Sequence, residues 1–162
     1  MTHEPASPPC YAAGVDGAYM GHAGRAEIVA ALDELLEAER AGARVALASA
    51  KQGPAPDYGT LMGDVRADEA RWCAMLSRHL RRLEAAPSRR TGAFYGKAMA
   101  IAEPWERLAF LNRGQAWVVR KLETLTPRVR DERLHADLKA MLESHRENIA
   151  RAAALLEREG GR

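Results

Sequence analysis

The chain has 162 residues, 47% hydrophobic and 28% charged, with a net charge of +2. That length and balance fit one domain with a sizeable core, and the small net charge gives no reason to expect nucleic acid or an anionic membrane as partner. No apolar run approaches the roughly 20 residues of a membrane span, the N-terminus lacks a signal pattern, and two cysteines make no disulfide framework, so a cytoplasmic protein is expected.

Residues 1–24 carry Pro5, Pro8 and Pro9 with several glycines and no periodicity, which predicts a flexible leader holding Cys10 and His22 ahead of a helical domain over 25–162. A first helix is expected from Arg25 to Lys51, ended by Gly53-Pro54-Ala55-Pro56. Its apolar stripe of Ile28, Leu32, Leu35, Ala43 and Ala46 is interrupted on the same line by Glu39. A carboxylate aimed into a core must be neutralised, paired or bound to a cation. From Thr60 to Glu84 a second stripe runs through Met62, Val65, Trp72, Leu76, Leu80 and Leu83, with Glu69 at its middle.

Between Ala85 and Glu103 the periodicity lapses into a long connection, in which Ala93 to Ala102 can form a short helix. Pro104 suits a first helical position. The third stripe then passes through Trp105, Leu108, Leu111, Val118, Val119 and Leu122 to Pro127, with Gln115 central. A fourth helix is expected from Asp131 to Gly160-Gly161, its inward stripe being Leu134, Leu138, Met141, Ile149, Ala152 and Leu156, with His145 central. Links that are short, long and short predict an all-α fold of two antiparallel hairpins joined by a crossover.

Glu39 and Glu69 are 30 positions apart across the first turn, as are Gln115 and His145 across the second. Equal separations put each pair at a similar depth below its loop, because both arms of a hairpin rise equally per residue. All four polar interruptions are therefore expected in one layer of the core. In this layout the sequence resembles the ferritin-like superfamily, particularly the small rubrerythrin- and bacterioferritin-like four-helix bundles. In those, a di-iron centre takes a Glu from each of two helices and a Glu-x-x-His from each of the other two.

Carried over, Glu39 matches the first-helix Glu, Glu69 the second-helix Glu, and His145 the fourth-helix His. Trp72 stands where a His is expected, Gln115 replaces the third-helix Glu, and Leu142 replaces the fourth-helix Glu. The resemblance implies a reduced metal site in which Glu39, Glu69 and His145 hold one iron, manganese or zinc ion more readily than two, with Gln115 as a weak ligand or donor and open positions for water or dioxygen. It also implies a homodimer, and names no substrate. Two readings stay open: a metal-binding bundle with redox or oxygen chemistry, and a non-catalytic interaction or structural module whose polar layer is a metal-free hydrogen-bond network.

Trp72 reads as core packing and Cys73 as a small buried hydrophobe, with metal ligand or redox thiol as its other uses. His79 reads as a cap or surface residue near the end of its helix, and Arg78, Arg81, Arg82, Arg89 and Arg90 as a solvated face. No P-loop, dinucleotide fingerprint, nucleophile elbow, Cys-x-x-Cys or His-Glu-x-x-His occurs.

Overall fold

A computed structural model describes residues 21–160, and every regular element in that range is helical. Most of the expected leader, including Cys10, lies outside the described residues. Four long helices, α1 (Arg25–Ala50), α2 (Pro56–Arg82), α4 (Pro104–Leu125) and α5 (Glu132–Gly160), are joined by two short turns and one long crossover holding the short helix α3 (Phe94–Met99).

The ends follow local chemistry. Helix α2 starts at Pro56, earlier than its apolar stripe suggests, because proline is tolerated at a first position whose N–H needs no partner. It stops in a left-handed cap: Glu84 takes φ 56°, Ala85 N–H donates to the Leu80 carbonyl and Glu84 N–H to the Arg81 carbonyl, both at 2.9 Å. Helix α4 opens with Pro104 behind Glu103, whose carboxylate accepts from the Trp105 and Glu106 N–H groups at 3.0 and 2.7 Å. Asp131 does the same for α5, accepting from Leu134 N–H at 2.7 Å. That bond, and then the nearby Arg82 and His79, outweigh a small burial cost and lower the Asp131 carboxyl below its ordinary range.

Side-chain pairs fix the directions. Asp57 meets Arg158, Asp64 meets Arg151 and His79 meets Asp137, so α2 and α5 run antiparallel. Glu34 pairs with Lys121 and Glu27 with Arg128, which makes α1 and α4 antiparallel as well. Two short-turn hairpins then require α2 and α4 to lie parallel on a diagonal. The crossover must therefore run the length of the molecule. It does: it leaves α2 beside Arg25, which donates to the Leu83 carbonyl, and reaches Pro104, whose carbonyl accepts from Tyr58 Oη at 3.2 Å near the opposite end.

Among the described residues the interior contains two apolar clusters. One is built on Leu32, Leu35, Leu36, Trp72, Leu76, Leu122, Leu138 and Met141, the other on Val45, Tyr58, Met62, Val65, Leu108, Leu111 and Leu155. On each of the four helices the polar interruption falls between residues of the first cluster and residues of the second. No helix among the described residues is long and apolar enough to cross a membrane.

Candidate functional site

Glu39, Glu69, Gln115 and His145 are each at most 4% exposed, and they lie in two bonded pairs. Gln115 Nε2 donates to Glu69 Oε1 at 3.0 Å. His145 Nε2 stands 3.0 Å from Glu39 Oε1, and His145 Nδ1 stands 3.0 Å from the Met141 carbonyl. A carbonyl only accepts, so Nδ1 carries a proton. The Nε2 contact to Glu39 then requires one more proton between the two groups.

The electrostatics favour the imidazole for that proton. Burial is the largest influence on His145 and opposes charging, but the Glu39 carboxylate, the Met141 carbonyl and Asp68 together raise it above its ordinary 6.5. Glu69 goes the other way in charge. Burial first, and then the Glu39 and Asp68 carboxylates, push it well above its ordinary 4.5 against the bond from Gln115. Both directions favour an added proton beside the Glu39 and Asp68 carboxylates, which lowers the charge the buried layer has to carry.

Three oxygens of the layer have no hydrogen-bond partner although they are buried: Glu39 Oε2, Glu69 Oε2 and Gln115 Oε1. One proton on Glu69 cannot serve all of them. The three side chains share the inner end of a cleft of about 440 Å³ between α1 and α4. Its walls are mainly Phe94, Phe110, Leu111, Trp117 and Val118, and crossover residues Thr91, Gly92 and Ala93 form its mouth. His145 does not line the cleft.

Two glycines make this arrangement possible. A Cβ on Gly42 would lie 2.7 Å from Glu69 Oε2 and closer still to Oε1, so the carboxyl lies directly against the backbone of α1. A Cβ on Gly114 would lie 2.7 Å from Phe94 Cζ. Its absence lets the Phe94 ring rest on α4, stacked on Phe110 with centroids 4.9 Å apart. The crossover is fastened above the cleft by Ser88, whose N–H donates to Asp33 at 2.8 Å and whose hydroxyl donates to Glu37 at 2.5 Å, and by Arg40, which donates to the Arg90 carbonyl at 2.9 Å.

Of the residues singled out by spacing, the cleft unites Glu39, Glu69 and Gln115, while His145 holds Glu39 from the far side. Among the described residues no group of three or more His, Cys, Asp or Glu side chains that could hold a metal ion is found. Trp72 is buried with its Nε1 unpartnered, and Arg71 lies over its ring at 4.2 Å. Burial, together with the Glu39 carboxylate, pushes the Cys73 thiol up to about 12, against a smaller opposing effect of Arg40. Such a thiol is a poor nucleophile and a poor ligand. His79 is not at the surface: it is 2% exposed, with Nε2 2.7 Å from Asp137 Oδ2, because α5 covers the end of α2. The five arginines from Arg78 to Arg90 are exposed, as a solvated face requires.

The spacing argument passed over Gly42, Gly114 and the Asp68 network. Asp68 accepts from buried Asn148 at 3.0 Å and from Ser144 at 3.2 Å, and its carboxylate helps to raise Glu69. Asp68, Ser144 and Asn148 look like outward polar residues until two helices are docked.

The sequence matches the family described as Domain of unknown function (DUF6306) over residues 26–154. The chain belongs to the DUF6306 family. No curated protein and no solved structure gives a match. The DUF6306 span takes in all four residues of the polar layer and every residue that lines the cleft.

Proposed function

We propose that this DUF6306 chain is a ferritin-like four-helix bundle whose polar layer holds a single divalent metal ion at the inner end of the cleft. The ferritin-like assignment is supported by the path of the chain, since a full-length crossover between two antiparallel hairpins is the connectivity of that superfamily. A dinuclear centre does not fit these residues. Buried Trp72 and Leu142 stand where it needs ligands, and Gln115 supplies no charge.

A single ion does fit. The observation that carries this reading is the set of three buried, unpartnered oxygens on Glu39, Glu69 and Gln115, two of them from carboxyl groups, at the end of an open cleft. Hard oxygen donors of this kind suit Fe(II), Mn(II) or Mg(II). Glu39 and Glu69 would supply the charge, Gln115 a neutral oxygen, and His145 would orient Glu39. A bound redox-active ion would supply one-electron or oxygen chemistry beside an apolar substrate space. Loading would displace the proton that burial favours on Glu69.

A second reading is favoured by the Glu39–His145 contact of 3.0 Å. The raised Glu69 carboxyl and the raised His145 imidazole both favour added protons in the layer, which suits a metal-free structural bundle. Elemental analysis of protein purified without chelator, paired with Glu69→Ala, separates the two. The metal reading predicts one ion per chain that disappears in the variant. Protein that stays metal-free after anaerobic Fe(II) addition refutes it and leaves the structural reading.

A further inference from the structure

The cleft has a polarity that the metal reading does not use. Its inner end carries Glu39 and Glu69, and Glu37 and Arg113 also line it. Glu37 is engaged by Ser88 and lies 3.9 Å from Arg90. Arg113 is exposed, and its guanidinium lies 5.5 Å from the Phe110 ring centroid. It is the cationic side chain among those that line the cleft, and among the described residues it makes no ion pair.

We propose that the cleft binds a small aromatic carboxylic acid, with its ring against the Phe94–Phe110 wall and its carboxylate on Arg113. The volume of about 440 Å³ lies within the range of small-molecule sites, and a mostly apolar wall with a few placed polar groups is their usual construction. The stacked Phe94 and Phe110 rings, laid on α4 by Gly114, give a planar ligand an aromatic wall. The direction of binding follows from charge. The inner end presents unpartnered acceptor oxygens and no cation of the protein's own, whereas the planar guanidinium of Arg113 matches a carboxylate fork. The acid group therefore points outward and the apolar end inward, toward the polar layer. This names the ligand class of the cleft treated above as the functional site; it rests on that reading for the site, and not on the metal.

The test is isothermal titration of the full chain, chelator-treated and Mn(II)-loaded, with 2-naphthoate and its neutral analogue 2-naphthylmethanol. Saturable one-to-one binding of naphthoate is expected. Arg113→Met weakens it about tenfold, the size of one charge-assisted contact, and leaves the neutral analogue unchanged. Ala93→Trp, an exposed change at the mouth, weakens both compounds. The proposal is overturned if neither compound saturates below about 1 mM, or if Arg113→Met affects the two equally. A chain that takes Mn(II) but no naphthoate overturns the cleft proposal alone, whereas one that takes naphthoate but no metal overturns the metal reading alone.

Discussion

Replacing Glu69 by glutamine separates the proton of the polar layer from its shape. The amide keeps the length of the side chain and an oxygen to accept from Gln115, but it cannot titrate. In the native chain burial, Glu39 and Asp68 hold the Glu69 carboxyl well above its ordinary 4.5. Below about pH 4.5 the unfolded chain binds this proton as well, and the stabilisation from protonated Glu69 is fully present. Between 4.5 and the raised native value only the folded chain holds the proton, so stability falls as pH rises. The loss approaches about 1.4 kcal/mol per pH unit for one proton.

His145 adds a loss of the same sign above its ordinary 6.5, because its imidazole is also raised. The assay is urea unfolding followed by circular dichroism in chelator, from about pH 5.5 to about pH 8.5. Native protein should lose stability across this range, and Glu69→Gln should lose distinctly less, retaining only the share due to His145. Equal slopes in the two proteins would refute the reasoning, as would native stability that rises with pH.

Further outcomes follow from single positions. Gly42→Ala removes a helix-interior glycine, which ordinarily stabilises by about 1 kcal/mol, yet here it should destabilise by about 1–3 kcal/mol because its Cβ meets the Glu69 carboxyl; urea midpoints decide the sign. Glu84→Gly should stabilise by about 1 kcal/mol in the same assay, since Glu84 holds a left-handed cap that glycine adopts without strain. In a Cys10→Ser background, Cys73 should react with a disulfide reagent far more slowly in the folded chain than in urea, because burial disfavours its thiolate; equal rates would show that the helix face around it is open.

The polar layer was legible in the sequence because Glu39, Glu69, Gln115 and His145 each break a helical apolar stripe, and helical rise converts chain separation into depth. Direction was legible too, from the long link between Ala85 and Glu103. Pairing within the layer was not. Whether His145 turns to Glu39 or to Glu69 depends on how neighbouring helices rotate, and a stripe fixes a face only to within several tens of degrees. The cleft escaped for a related reason: its mouth and part of its wall come from the crossover, which has no periodicity. Gly42 and Gly114 read as ordinary glycines in helices until the Glu69 carboxyl and the Phe94 ring occupy the space their missing side chains leave. His79 reads as a cap or surface residue on its own helix, whereas its partner Asp137 arrives on another.

The central claim is that the unpartnered oxygens of Glu39, Glu69 and Gln115 form a cation site. Anaerobic titration of chelator-treated protein with Mn(II), by calorimetry in buffers of differing ionisation enthalpy, tests it most directly. One ion per chain, bound with net release of protons and lost in Glu69→Gln, is the predicted result. No saturable binding, or binding that Glu69→Gln leaves intact, would contradict the account.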